Sequence, residues 1–313
     1  MDFSTEFTKG VASSNNTLAL QIGSVCCALK CQEEEVYHRL KQLYHSFLSE
    51  QPVDITVELE ETKRLSDDDA GLDLMENGHI HELTVGFRTT SQMTAELPDL
   101  RHAASGAGKM DQAGSDHLDF KFLNRLLSIS YYTVCQEKYG GNPPAMLVHS
   151  CGVLRDGRAL VFAGPSEAGK TTVARLCGKR DGEVINDEML LISRPNSNGH
   201  GIVVQSAPII GRFPPQRSLT APLRCILLLK KSNKTAVRRL ERVEAYLRFL
   251  RQIITPAYIG QKDAREVLSL MAAFCDEVTG STPVFELEFN LDGESLWQVI
   301  AGLEGSLDKN ERR

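Results

Sequence analysis

Residues 164–171, GPSEAGKT, match the phosphate-binding pattern G-x-x-x-x-G-K-[ST] at every required position. In this pattern the glycines let the backbone curve around a phosphate while successive N–H groups point inward and bind the anion. Lys170 stands where the side chain reaches the β- and γ-phosphates, and the Thr171 hydroxyl is placed to bind Mg²⁺. The pattern therefore predicts a site for ATP and Mg²⁺. The predicted nucleotide contacts are Gly164, Pro165, Ser166, Glu167, Ala168, Gly169, Lys170, Thr171 and Thr172.

Two acidic residues follow this loop at a distance that can return them to it. Asp187 and Glu188 stand 16 and 17 positions after Thr171, between the apolar runs 184–185 and 190–192. Phosphoryl transfer needs a further Mg²⁺ contact and a group that receives the proton of the acceptor. We predict a site role for both residues, and a solvated turn is the alternative. His149, which ends the apolar run before a hairpin, is on spacing alone more typical of a structural polar residue.

The elements around the loop are those that a phosphate site requires. An apolar strand at residues 159–163 enters the loop, and a helical pattern begins at Thr172. The Asp156-Gly157 pair between two apolar runs predicts a hairpin that joins strands 145–154 and 159–163. The pattern V-I-N-D-E-M-L-L-I predicts two strands separated by a polar kink.

The first part of the chain predicts a separate, smaller α/β unit. Residues 17–29 are mostly apolar and indicate one or two strands, residues 32–49 follow helical spacing, and residues 53–59 alternate as a half-buried strand does. A shorter strand is expected at 83–87. Residues 101–118, rich in Gly, Ala and Ser, predict a flexible linker. We therefore divide the chain into an N-terminal domain with its linker, 1–118, and an ATP-binding kinase domain, 119–313, which begins with a helix at 119–138.

That linker carries a false phosphate-loop ending. Residues 106–109, GAGK, are followed by Met110, which has no hydroxyl for Mg²⁺, and no predicted strand precedes them. The true loop at 164–171 is thus the one we predict to bind a nucleotide.

Composition limits the classes of function. The chain has 313 residues, 42% of them apolar, and a net charge of -6. The charge is uneven, because residues 1–140 hold 12 basic and 22 acidic side chains whereas residues 141–313 hold 23 and 19. An anionic ligand is therefore expected in the second part, and nucleic acid is not expected as a partner. The sequence has no apolar run of membrane-spanning length, and its eight cysteines lack paired spacing. We predict a cytoplasmic protein with no membrane partner.

The residues around the loop resemble the HPr kinase/phosphorylase family and its related serine kinases. The resemblance rests on LVHSCGVLRDGRALVFAGPSEAGKTTVARL and on VINDEMLLI. It is specific over residues 149–192 and covers 120–305 in outline, with a strand at 221–229 and a closing strand and helix at 284–297. It implies an α/β fold, in which a phosphate-loop domain similar to the nucleotide domain of phosphoenolpyruvate carboxykinase follows the smaller N-terminal domain. Since that family is often oligomeric, a homo-oligomer is compatible with the resemblance.

The same resemblance implies roles for the site residues. His149 corresponds to a histidine near the transferred phosphate, and the acidic pair supplies the acceptor base and a Mg²⁺ ligand. Asp187 fits the base and Glu188 fits the metal position, so the implied metal ligands are Thr171, Asp187 and Glu188. If the register slips by one residue, Asn186 takes the position of the base. The family's second signature, which carries the reverse phosphorylase reaction, is not found.

We therefore expect an ATP- and Mg²⁺-dependent kinase that transfers the γ-phosphoryl group to a hydroxyl, with a Ser of a protein or peptide as acceptor. Two alternatives stay open: a nucleotide-sensing module without catalysis, and a kinase for a small metabolite such as free serine. An arginine of the loop 211–218, or Arg224, is a candidate to stabilise the charge on the phosphoryl group in the transition state. A solubilising surface loop is the alternative. A helix over 236–254 is expected to show a basic surface face, or less commonly to dock an acidic peptide or the N-terminal domain.

Overall fold

In the described residues, the small N-terminal sheet has four strands, β1 (Thr17–Ile22), β2 (Val25–Cys31), β3 (Ile55–Glu61) and β4 (Gln92–Leu97), which are adjacent in that order. The structure, a computed structural model, describes residues 16–31, 34–61, 92–97, 116–180, 182–194, 201–212, 217–255, 264–290 and 292–311. β1 and β2 form an antiparallel hairpin, whereas β2, β3 and β4 are parallel. Helix α1 (Glu34–Leu43) lies between β2 and β3 in the chain.

The predicted helix over 32–49 is shorter than expected. α1 ends at Leu43, and a 3-10 turn follows at His45–Phe47. The chain straightens there because Leu48 bridges to Leu20 of β1 and the Ser49 N–H donates to the Ala19 carbonyl. The predicted strand at 83–87 and residues 101–115 of the predicted linker lie outside the described residues, so the domain boundary stays a prediction.

One long helix, α2 (Asp116–Tyr139), contacts both sheets. It begins within the last residues of the predicted linker. The Tyr131 hydroxyl donates to the Ala145 carbonyl at 2.7 Å, on the side of the second sheet. Lys138 forms an ion pair with Asp54, next to the small sheet, at 2.5 Å. A continuous apolar core therefore extends from the small sheet across α2 to the larger one.

Within the described ranges the larger sheet has nine strands. Seven follow the order β5-β9-β10-β11-β7-β6-β8, while β13 also pairs with β11 and β12 pairs with β13. The chain is thus mixed α/β, as predicted. The strands are β5 (Ala145–Val148), β6 (Ser150–Arg155), β7 (Arg158–Ala163), β8 (Glu183–Asn186), β9 (Leu190–Ser193), β10 (Val203–Ser206), β11 (Thr220–Lys231), β12 (Ala236–Arg239) and β13 (Val284–Phe289). The helices are α3 (Lys170–Gly178), α4 (Arg242–Leu250), α5 (Ala264–Ser281) and α6 (Gly293–Glu311).

Three parallel strands, β7, β11 and β13, carry the site at their carboxyl ends. Alternation along β7 sends Phe162 into a core with α3 and α6, and sends Val161 into the core that includes residues of α4 and α5. This sheet therefore lies between two helical layers. In such sheets ligands bind beyond the carboxyl ends of the strands, which is where residues 164–169 lie.

Two further predicted elements, both around the larger sheet, differ from the structure. The strand expected at 145–154 is broken at His149 into β5 and β6, because β5 pairs with β9 whereas β6 pairs with β7. The helix expected over 236–254 begins only at Arg242. Its first residues form β12 instead, since they pair antiparallel with β13 and place Arg238 opposite Glu286. Cross-strand pairing of opposite charges favours this strand over the helix.

Candidate functional site

The loop at residues 164–169 joins β7 to α3, and its backbone requires glycine at both ends. Gly169 has a φ of 108°, and a Cβ there would lie 2.5 Å from Cζ of Phe289. A Cβ on Gly164 would lie 2.8 Å from Cβ of Ala168. Glu167 also has a positive φ of 63°. The two glycines of the sequence pattern are therefore fixed by steric limits, and the resulting turn leads into the N-terminus of a helix.

Lys170 begins α3 and folds back over this loop. Its Nζ donates to the carbonyl oxygens of Gly164 at 2.8 Å and Pro165 at 3.0 Å. Burial lowers its pKa, and the nearby Glu188 carboxylate opposes that effect. An ammonium group has three donors. Two loop carbonyls therefore hold the lysine in place, while one N–H is left for an anionic oxygen.

Asp187 lies in the turn between β8 and β9 and is only 1% exposed. Its Oδ2 accepts the Arg212 N–H at 3.3 Å. A Cβ on Gly211 would lie 2.0 Å from Oδ1, so only glycine leaves room for the carboxylate. Asn124 of α2 fixes the same segment, because its side chain exchanges two 2.8 Å hydrogen bonds with the backbone of Ile210. A hydrogen-bonded backbone segment thus covers Asp187.

Asn186 has no exposed surface, and its amide is fully used within the protein. Its Nδ2 donates to the carbonyls of Ala207 at 3.1 Å and Ile209 at 2.8 Å. Its Oδ1 accepts the N–H groups of Glu188 at 2.7 Å and Met189 at 3.1 Å. All four hydrogen-bonding positions of the side chain are occupied. If the register is shifted by one residue, so that Asn186 stands at the position of the base, its side chain therefore has no free polar atom to contact an acceptor.

His149 lies between β5 and β6, beside the end of α4. Its backbone N–H donates to the Gln252 carbonyl at 2.8 Å, and its Nε2 is 3.9 Å from Oε1 of Glu188. Burial, with a contribution from the Lys170 charge, lowers the pKa of His149 to about 4. The imidazole is therefore neutral at pH 7. The structure thus brings His149, Glu188 and Lys170 together, and their roles in a reaction stay predictions.

Two of the arginines considered from sequence are engaged elsewhere. Arg224 is buried and donates to the Glu304 carbonyl at 3.0 Å and to Asp308 at 2.6 Å, both on α6. Arg217 donates to Glu183, at the start of β8, at 2.7 Å. Neither side chain is directed to the loop. Of this set, only the backbone of Arg212 contacts a site residue.

A cavity of about 410 Å³ opens beside the loop and is lined by Arg248 and Arg251, which their sequence pattern assigned to a basic helix surface and not to the phosphate site. Arg248 is in the last turn of α4 and Arg251 follows the helix. The chain after α4 is held next to the site because Val148 of β5 bridges to Ile253. The spacing of three residues, which places both side chains on one helical face, was a usable signal. The lining includes His149, Gly164, Pro165, Ser166, Arg248 and Arg251.

The residues predicted to bind Mg²⁺ offer only oxygen donors. They are the half-buried Thr171 hydroxyl and the carboxylates of Asp187 and Glu188. The described part of the chain contains no group of three or more His, Cys, Asp or Glu arranged to hold a metal. Mg²⁺ commonly binds one or two carboxylates and takes its remaining ligands from water and substrate phosphates. The donor set therefore fits Mg²⁺ together with a nucleotide, and does not form a metal cage of its own.

Several solved structures match this chain, and the likeness of the one described here is weak. The HPr(Ser) kinase/phosphatase from Coxiella burnetii matches with a TM-score of 0.28 and 10% sequence identity, over 53% of this chain and 95% of that one. No protein-family model and no curated protein sequence matches. At this similarity the match carries no weight for the fold or the chemistry. In the ranges that the structure describes, no helix is long and apolar enough to cross a membrane.

Proposed function

We propose that the chain is an ATP- and Mg²⁺-dependent phosphotransferase that transfers the γ-phosphoryl group to a hydroxyl. One observation carries this proposal. The loop that requires Gly164 and Gly169, with Lys170 bonded to its carbonyls, lies in one site with His149 and Glu188. The buried carboxylate of Asp187 directly precedes Glu188 in the chain. The loop and Lys170 would bind the phosphates, and the two carboxylates would accept the acceptor proton and bind the metal ion. The expected acceptor is a Ser of a protein or peptide.

In the proposed reaction the acceptor oxygen attacks the γ-phosphorus while the bond to the β,γ-bridging oxygen breaks and ADP leaves. The proton of the acceptor hydroxyl passes to the carboxylate of Asp187. Lys170 and the backbone N–H groups of the loop bind the phosphate oxygens. His149, being neutral at pH 7, acts as a hydrogen-bonding group next to the γ-phosphoryl group. Mg²⁺ held by Thr171 and the acidic pair would neutralise negative charge on the phosphates.

A second candidate, a nucleotide-sensing module without transfer, is favoured by one observation. Asp187 is 1% exposed and is covered by the backbone of residues 211–212. In this arrangement an acceptor hydroxyl does not reach the carboxylate. The kinase proposal therefore requires this segment to move when substrates bind, whereas a sensor has no such requirement.

Nucleotide binding and turnover test the two candidates. Lys170→Ala is expected to weaken ATP binding at least about tenfold, because a charged hydrogen bond to phosphate is lost. Lys179→Ala, which removes the same charge from an exposed position after α3, is the matched control and should bind ATP as the wild type does. Equal ATP affinity in all three proteins would contradict the proposed site. ATP binding without any labelled acceptor, unchanged in Asp187→Asn, would favour the sensor.

A further inference from the structure

The cavity beside the loop is positively charged on one side. Among the described residues, those that line it include Arg248 and Arg251 but no aspartate or glutamate. The acidic pair follows β8 and meets the cavity at His149, whose Nε2 lies 3.9 Å from Oε1 of Glu188. The cavity floor is apolar and is formed by Leu228 and Leu229 at the carboxyl end of β11. A ligand in this cavity therefore meets the loop on one side and two guanidinium groups on another.

Arg248 is held in a fixed direction. Its Nη1 donates to Glu286 at 2.6 Å and to Glu244 at 3.1 Å. Glu286 is itself only 9% exposed and also contacts Arg238. This network orients Arg248 and offsets part of its charge. A substitution at Arg248 would leave Glu286 short of a partner, so this position is poorly suited to a clean test.

Arg251 differs from its neighbour. It is exposed at the end of α4, where its backbone N–H donates to the Phe249 carbonyl. Within the described ranges, no ion pair or hydrogen bond occupies its guanidinium. A guanidinium group presents paired donors that match a carboxylate or phosphate in geometry. Arg251 therefore offers an anion-binding group at the cavity, beside the oriented Arg248.

We propose that Arg251, with Arg248, binds an anionic group of the acceptor, so that the substrate is a hydroxyl compound with its own carboxylate or phosphate. This inference rests on the proposed phosphotransferase function and names its substrate class. Two sources supply the same chemistry: a small hydroxy acid, and a Ser flanked by acidic residues in a peptide. The competing occupant of the arginines is the nucleotide itself.

Matched pairs of product-like ligands test this proposal by calorimetry on the full chain, with and without saturating Mg²⁺ and ADP. One pair is O-phospho-L-serine and O-phosphoethanolamine, which differ by a carboxylate. The other is a phosphoserine peptide flanked by Glu and its counterpart flanked by Gln. In at least one pair the anionic member is expected to bind at least about tenfold more tightly, as loss of a charge-assisted hydrogen bond implies.

Arg251→Gln should abolish that preference while ADP affinity stays unchanged. Arg242→Gln is the matched control, because Arg242 lies on the same helix and pairs with Asp276 away from the cavity. Equal binding within both pairs, or no binding of any ligand at about 10 mM, overturns the inference. So does a loss of ADP affinity in Arg251→Gln, which would assign the arginine to the nucleotide. Failure of the wild type to bind ADP instead refutes the phosphotransferase proposal, and the anion preference measured without nucleotide then stands alone.

Discussion

Substitution of Asn186 by Ala tests how the turn that carries the acidic pair is built. The side chain of Asn186 joins β8 to the segment 207–209 through two donated hydrogen bonds, and it accepts two more from the backbone of residues 188–189. Alanine removes all four. Because the residue has no exposed surface, water cannot replace the lost partners.

The size of the effect follows from these contacts. A buried hydrogen bond contributes about 1 kcal/mol net, and an unsatisfied buried partner costs about 1–3 kcal/mol. Four bonds therefore set a loss of about 4 kcal/mol in the free energy of unfolding. With a urea m-value of about 2.5 kcal/mol/M, the unfolding midpoint falls by about 1.5 M.

The fluorescence of Trp297 reports this transition, because it is the single tryptophan, 7% exposed on α6, with Arg155 4.2 Å from its ring. Asn142→Ala, at an exposed turn position, is the control and should change the free energy of unfolding by less than about 0.5 kcal/mol. A loss below about 1 kcal/mol for Asn186→Ala would refute the structural role of this residue. The carboxamide of Asn186 would then be available to contact a substrate, as the register shifted by one residue implies.

Two further predictions concern the loop and His149. Gly169→Ala forces a Cβ to within 2.5 Å of Phe289 at a φ of 108°, so ATP affinity measured by calorimetry should fall at least about tenfold; Gly302→Ala, on α6 with open space around it, should keep it. The pKa of His149 is lowered from 6.5 to about 4, so an NMR titration should find its midpoint well below that of a free imidazole. As the pH is lowered, the unfolded state takes up the proton first, so the free energy of unfolding should fall between pH 6.5 and 4 by up to about 3 kcal/mol. His149→Gln should flatten this pH dependence. A titration midpoint near 6.5 would show that burial does not lower the pKa of His149.

Much of the architecture around the loop is predictable because local signals agree with the fold. Asp156 and Gly157 take positive φ values of 47° and 73°, which is the hairpin turn that this dipeptide favours. The polar residues 186–188 interrupt two apolar runs, as their pattern indicates. The failures come from long-range pairing. Residues 236–239 have helical spacing, but their backbone pairs with the edge of β13. The local sequence pattern of residues 236–239 contains no information about that edge.

The site was only partly predictable for the same reason. The loop at residues 164–171 could be recognised from sequence, because Gly164 and Gly169 have no room for a side chain and so keep the glycine pattern. Arg248 and Arg251 approach the loop only because the segment after α4 pairs with β5, which is a contact over about a hundred residues of sequence. Arg224 resembles a site arginine in sequence, yet β11 alternation directs it into α6. Side-chain direction in these cases depends on the sheet order.

Transfer of label from γ-labelled ATP, measured in the wild type and in Asp187→Asn, tests the central claim most directly. The products are resolved by size after incubation with proteins, peptides and small hydroxyl compounds, so that the acceptor class is read in the same experiment. Loss of a proton acceptor lowers the rate by about 10²–10⁴-fold. ATP affinity measured without Mg²⁺ should stay within about threefold, because the loop and Lys170 are intact. The account predicts a labelled acceptor with the wild type and almost none with Asp187→Asn; equal transfer by both proteins at equal ATP occupancy would contradict it.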